Sequence, residues 1–367
     1  MNSSPTISVQ THYQPGVALE DLELIVNQLA TVWDALRNQH IFITGGTGFV
    51  GCWLLEALLW ANEQLDLQLT LSVLTRNPAA FTSKAPHLAT HKIINLIQGD
   101  VTNLQSIHGR FDIVIHAATD VAGINSNPLI TFEQIVAGTK ETLALAQRSH
   151  TQRYLLTSSG AVYGRQPEHI THLPEDFAGA PALLDTATAY GQGKRVSEWL
   201  TACQSNQQLH VGIARCFALI GPYLPLDAQF AAGNFIRDGL DNKTIAVNGD
   251  GTSCRSYLYA ADMVIWLLRI LFSNNATACY NLGSQESISI KELAETISHI
   301  IYHENRTAIA KQPTINSPIQ RYIPDTSKAQ RELGLKQYTD LHNAISKTIA
   351  WEQQRRKLIN LYTERPA

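Results

Sequence analysis

The feature that most constrains this chain is a strand-like run, His40-Ile41-Phe42-Ile43-Thr44, that passes straight into Gly45-Gly46-Thr47-Gly48-Phe49-Val50-Gly51. A strand that ends in a glycine turn and opens at once into a helix is the build of dinucleotide-binding folds. Gly45 permits the tight turn, Gly48 lets backbone approach a pyrophosphate, and Gly51 allows the helix to pack closely on the turn. The helix N-terminus offers N–H groups and a partial positive charge to the phosphates. Thr47, Phe49 and Val50 complete the cofactor-facing loop.

From residue 40 onward, short strand-like runs alternate with helical stretches. Strands are expected at His40–Thr44, Leu69–Leu74, Ile93–Gln98, Asp112–His116, Tyr154–Ser158 and His210–Cys216. Helices are expected at Val50–Ala61, Leu129–Ser149 and Thr188–Cys203. This alternation predicts an α/β Rossmann fold: a doubly wound parallel sheet covered on both faces, with a smaller, mixed C-terminal substrate-binding region. The division expected is an arm and helix over 1–39 and an NAD(P)-binding domain over 40–217 that takes strands from about 252–283. The substrate-binding region then spans 218–251 and 284–367, its last stretch mainly helical. In the first segment, Leu22, Ile25, Leu29, Val32 or Trp33, and Leu36 recur at helical spacing between Asp21 and Asn38, so one helix is expected to pack on the body.

Composition narrows the class further. Of 367 residues, 44% are hydrophobic and 16% charged, which suits a packed globular protein. The net charge of −3 with no basic block argues against nucleic acid as a partner. Five scattered cysteines without CxxC spacing point to a reducing cytoplasm and to no metal site. The polar N-terminus is no secretory signal, and no apolar run reaches the roughly 20 residues a membrane helix needs. The expectation is a soluble cytoplasmic protein.

Tyr190-Gly-Gln-Gly-Lys194 places a phenol and an ammonium one turn apart on one helix face. Lowering a tyrosine pKa from ~10 to near neutrality takes about 3 units, roughly 4 kcal/mol, which a lysine cation and an oxidised nicotinamide can supply. Earlier in the chain, Leu155-Leu156-Thr157-Ser158-Ser159-Gly160-Ala161-Val162-Tyr163-Gly164 ends a strand in hydroxyls.

TGGTGFVG, this serine segment and YxxxK, in this order, resemble the TGxxGxxG, SSxxVYG and YxxxK signatures of the extended short-chain dehydrogenases/reductases, the nucleotide-sugar-modifying epimerase/dehydratase type. The resemblance spans about residues 40–335. It implies Ser159, Tyr190 and Lys194 as the catalytic set, with Lys194 also holding the nicotinamide ribose. It further implies that Asp100 and Val101 border the adenine, and that Ala117, Ala118, Thr119 and Thr157 lie along the cofactor. Arg76, just past the second strand, stands where NAD-specific folds carry an acidic residue; its planar fork suits a ribose 2′-phosphate, so NADP(H) is favoured over NAD(H).

On the substrate side the resemblance implies Asn234 and two diphosphate-binding arginines, Arg255 and Arg321, with Asp262 structural. Two positions depart from the pattern: Ala218 and Ile135 stand where asparagines are expected. Ser159-Gly160-Ala161 also stands where 4,6-dehydratases carry Thr-Asp-Glu and decarboxylases a glutamate at the third position, so both reactions are disfavoured. What remains is hydride transfer at a sugar carbon, C4, by a 4-keto-sugar reductase or 4-epimerase acting on a nucleotide sugar. Alternatives from other classes are an NADPH carbonyl reductase of a non-sugar ketone and a redox-sensing, non-catalytic Rossmann protein. The family habit of pairing through a four-helix bundle implies a homodimer built on Leu129–Ser149 and Thr188–Cys203.

Overall fold

The computed structural model describes residues 13–119, 127–228, 230–314 and 318–363. Along the first part of the chain come α1 (Leu19–Gln28), α2 (Ala30–Ala35), β1 (His40–Thr44), α3 (Phe49–Leu65), β2 (Thr70–Thr75), α4 (Pro78–Lys84) and α5 (Pro86–Ala89). They are followed by β3 (Ile94–Gln98), β4 (Ile113–His116), α6 (Pro128–Arg148), β5 (Arg153–Ser159), α7 (Ala189–Gln204) and β6 (His210–Cys216). The second part holds β7 (Ala218–Ile220), α8 (Ala231–Leu240), β8 (Ile245–Val247), β9 (Cys254–Arg255), β10 (Tyr257–Tyr259), α9 (Ala260–Leu271) and β11 (Thr277–Leu282). The chain closes with β12 (Ile288–Ser289), α10 (Ile290–Tyr302), β13 (Thr307–Ile309), β14 (Arg321–Tyr322), α11 (Ser327–Leu333) and α12 (Leu341–Thr363).

Seven strands form one parallel sheet in the order β11-β6-β5-β4-β1-β2-β3. The expected α/β Rossmann architecture is therefore present. The central strands β1, β2 and β4 are buried along most of their length because helices cover both faces. Ile41, Ile43, Leu71 and Val73 face the cluster built with α3 and α9. Phe42, Val114, Tyr154 and Leu156 face the other cluster, with Leu143 and Leu145 of α6. Strand order reverses between β1 and β4, and in such sheets the crevice at the carboxyl ends of these strands receives the ligand.

One expectation needs correcting. The single helix over Asp21–Asn38 is broken at Leu29, whose φ of −115° and ψ of 21° leave the helical region. The Trp33 indole N–H then donates to the Val26 carbonyl at 2.9 Å. Leu22, Ile25, Leu29, Val32, Trp33 and Leu36 are all buried, so the apolar spacing was informative although the continuity was not. The C-terminal stretch is mainly helical, as expected, and the short strands β12, β13 and β14 lie among its helices. Elements of two or three residues carry no periodicity that a sequence pattern can show.

Candidate active site

The glycine turn has the geometry a dinucleotide needs. Gly45 has a φ of +72°, and a Cβ there would lie 2.5 Å from the Ala117 carbonyl carbon. A Cβ on Gly51 would lie 2.3 Å from both Gly45 O and Gly46 Cα. The turn, the start of α3 and the 117–118 backbone thus touch with no room for side chains. α3 begins after Gly48 without a side-chain cap, so its first N–H groups face the crevice in need of an acceptor. Thr44 ties this turn to the end of β4: its hydroxyl meets His116 Nδ1 at 2.8 Å and accepts from Ala118 N–H at 3.2 Å. Burial pushes His116 down to about 3, which keeps the ring neutral at this junction. These features fit a pyrophosphate.

Arg76 is exposed one residue past β2, and Asn77 caps α4 by accepting from Ala80 N–H at 3.0 Å. The Asp100 carboxylate is held below its usual range by the Thr102 hydroxyl and N–H, with the Arg76 charge assisting. Val101 packs against Gly138 of α6. Lys84, which the sequence did not single out, donates to the Thr47 carbonyl at 2.8 Å and so braces the glycine turn from α4.

β5 delivers Ser159 to the carboxyl edge of the sheet, and α7 brings Tyr190 and Lys194 over it. Lys194 Nζ donates to the Thr157 carbonyl and the Thr119 hydroxyl, both at 2.8 Å, and lies 5.9 Å from the Tyr190 ring centroid. Burial lowers Lys194 to about 8 and raises Tyr190 to about 12; a hydrogen bond from Ser159 opposes the latter. The Ser159 hydroxyl accepts from Ala161 N–H at 3.1 Å. Its neighbour Ser158 points elsewhere, to Glu198 at 2.5 Å, and Glu198 is clamped by Arg215 at 2.8 Å. Ser158 and Arg215 therefore hold α7 to the sheet. Ile135 packs against Gly193, filling the gap between α6 and α7 where an amide was expected.

Asn234, Arg237, Asp238, Asn248, Asp250 and Arg255 line a cavity of about 470 Å³. Arg237, which the sequence did not flag, pairs with Asp238 at 2.9 Å and donates to the Asn234 side chain at 3.2 Å. The expected convergence of two arginines is not what β14 builds. Arg321 is in register with Cys254, and Tyr322 with Arg255. Alternation along the strand sends Arg321 to the opposite face from Arg255. Asp262, which is not among the residues lining this cavity, accepts from the Tyr338 and Thr339 N–H groups at 3.0 and 3.1 Å, as a structural post does. Among the described residues, no cluster of histidine, cysteine or carboxylate side chains could hold a metal, and no helix is long and apolar enough to cross a membrane.

The profile of the NAD dependent epimerase/dehydratase family matches residues 41–283. The chain belongs to that family. Within it, a UDP-glucuronic acid decarboxylase of Arabidopsis thaliana is 32% identical over 314 residues, 84% of this chain and 87% of that protein. A UDP-glucose 4-epimerase from Thermotoga maritima, solved with UDP-glucose, superposes with a TM-score of 0.72 at 18% identity, covering 86% of this chain and 99% of that one. A dTDP-glucose 4,6-dehydratase from Bacillus anthracis, solved with NAD, gives 0.71 at 18% identity over 87% of this chain and 98% of that one. This family member is thus an extended short-chain dehydrogenase/reductase of the nucleotide-sugar-modifying kind.

Proposed function

We propose that the enzyme exchanges hydride at C4 of a nucleotide-linked sugar, as a 4-epimerase or a 4-keto-sugar reductase. The observation that carries this reading is the Lys194 ammonium, fixed by Thr157 and Thr119 one helical turn from Tyr190 and beside the strand end that carries Ser159. A bound nicotinamide dinucleotide supplies the hydride exchange. Tyr190 moves the proton of the reacting sugar oxygen, Ser159 donates a hydrogen bond to that oxygen and opposes the burial that raises the phenol, and Lys194 stands 5.9 Å from the Tyr190 ring with a charge that favours a phenolate. Asn234 and Arg255 take the diphosphate in the neighbouring cavity, where Arg237 adds a further guanidinium. The carboxylates of an elimination are missing: Gly160 and Ala161 carry no proton-transfer group.

We further propose NADP(H) as the preferred cofactor, on the strength of Arg76. A homodimer through α6 and α7 is supported by the exposure of Leu129 (74%) and Trp199 (66%) on those helices. A cytoplasmic site of action fits the cysteine usage.

Decarboxylation is the second reading, favoured by the likeness to UDP-glucuronic acid decarboxylases. Once a uronic acid is oxidised at C4 it is a β-keto acid, and CO₂ leaves without a carboxylate base. One set of assays separates the readings. Purified enzyme is denatured and any released cofactor identified; it is then incubated with UDP-glucose, UDP-galactose, UDP-glucuronic acid and dTDP-glucose, with product analysis. Interconversion or oxidation of the neutral sugars supports the C4 reading, whereas CO₂ from UDP-glucuronic acid establishes the second. Tightly bound NAD+ counts against a releasing NADPH reductase.

A further inference from the structure

Ser159 has a neighbour that no sequence pattern connects to it. The Tyr322 hydroxyl lies 3.4 Å from Ser159 Oγ, although 163 residues separate them in the chain. The ring is held rigidly. It packs on Phe217 with centroids 4.5 Å apart, and Arg255 sits 5.9 Å above it. Strand pairing of β14 with β9 sets its face. Space for the hydroxyl is left by Gly160: a Cβ there would lie 2.7 Å from the Tyr322 oxygen and 2.7 Å from Phe217 Cζ. The residue after the catalytic serine thus lacks a side chain where a phenol from another part of the chain enters.

Donor counting shows what the phenol does. A serine hydroxyl has one proton and two acceptor positions. One Ser159 acceptor position takes the Ala161 N–H at 3.1 Å. Burial raises the Tyr322 phenol well above its usual range, so it keeps its proton; across the 3.4 Å contact with Ser159 either hydroxyl can be the donor. The acceptors in reach are Ser159 Oγ and, at 3.5 Å, the Cys216 carbonyl. When Tyr322 donates to Ser159, both acceptor positions of the serine are filled and its single proton has one use left.

We propose that Tyr322 is a positioning residue: by donating to Ser159 it commits the Ser159 proton to the reacting sugar oxygen shared with Tyr190. This rests on the C4 hydride-transfer reading given above. The charged and titratable groups around the two phenols are Lys194, Cys216 and Arg255, with Glu198 beyond Lys194. None of them lies in reach to replace the Tyr322 proton on Ser159 among the described hydrogen bonds.

The test is Tyr322→Phe, which keeps the ring, its stacking and the Arg255 contact. It is assayed with the nucleotide sugar that the wild type turns over among UDP-glucose, UDP-galactose, UDP-glucuronic acid and dTDP-glucose. The expected result is kcat lower by about tenfold with KM within about twofold, the loss of one modest hydrogen bond felt at the transition state. The oxidation-direction pH profile of kcat/KM, which reports the free enzyme, moves to higher pH, because before substrate enters the Ser159 proton serves the Tyr190 phenolate and is less firmly aimed once Tyr322 is lost. In a Ser159→Ala background, Tyr322→Phe has no further effect, since its influence passes through that serine. A Tyr322→Phe enzyme with unchanged kcat and pH profile, or with an equal further loss in the Ser159→Ala background, overturns the proposal and leaves the C4 reading standing. A wild type that exchanges hydride with none of the four sugars overturns both.

Discussion

Glu56 and Tyr223, 167 residues apart in the chain, share a hydrogen bond of 2.5 Å in the interior. The same carboxylate accepts from the Tyr13 hydroxyl at 2.5 Å and from Gly16 N–H at 3.1 Å, and meets His87 at 2.9 Å. Glu56 lies on α3, the helix that opens at the glycine turn, and Tyr223 lies in the loop leading to α8. One buried group therefore ties the N-terminal arm, α3 and the loop before α8 together. Trp351 of α12 closes the knot by donating to Gly16 O at 2.6 Å.

Replacing that carboxylate by an amide is costly, because one of its two acceptor oxygens becomes an NH2 donor and a phenol bound there loses its acceptor. Glu56→Gln is expected to destabilise the fold by ~3 kcal/mol, and Tyr13→Phe by ~1 kcal/mol. Urea denaturation monitored by tryptophan fluorescence reads both, and a Glu56→Gln protein of wild-type stability would show that the hub is dispensable.

Lys194 carries a pH signature in cofactor-free protein. Its folded-state pKa of about 8 lies below the ordinary lysine value of 10.5, because burial opposes the charge. Between those values the unfolded chain binds the proton and the folded one does not, so wild-type stability rises with pH across that window. Lys194→Met lacks this rise. The stability of wild type relative to the variant is expected to be lowest below pH 8 and to improve between pH 8 and 10. Denaturant melts at pH 7.5 and 9.5 give the comparison, and parallel behaviour of the two proteins counts against a buried ammonium.

Gly51→Ala forces a methyl into backbone that lies 2.3 Å away. Helix α3 must retreat from the turn, and overpacking of this kind costs ~1–3 kcal/mol. Cofactor affinity is expected to fall by at least about tenfold, since the helix N-terminus no longer aligns with the turn. Fluorescence titration with NAD+ and NADP+ measures it; undiminished binding of both would remove the glycine turn from the cofactor site.

Arg76 discriminates between cofactors if it meets a 2′-phosphate. Arg76→Ala is expected to weaken NADP+ by about 10- to 100-fold, from the loss of a charge-assisted bidentate contact, while NAD+ changes little. An equal effect on both, or none, assigns Arg76 to the loop alone.

Much of this protein was legible from sequence wherever the chemistry is local. The glycine turn needs a positive φ at Gly45 and bare backbone at Gly51, and these requirements sit within seven residues. Tyr190 and Lys194 share a face because four residues make one helical turn, whatever the helix packs on. The alternating apolar runs likewise set the parallel sheet to within a residue or two at each strand end.

What the tertiary structure decided are the relationships that depend on register and on long loops. A shift of one residue along β14 exchanges the faces of Arg321 and Tyr322, and that register comes from pairing with β9, not from any pattern in the residues themselves. This is why Arg321 and Arg255 lie on opposite faces while Tyr322 stands beside Ser159. The break at Leu29 and the gathering of Tyr13, Tyr223 and His87 on Glu56 arise in the same way, from packing partners that are distant in the chain and adjacent only once it has folded.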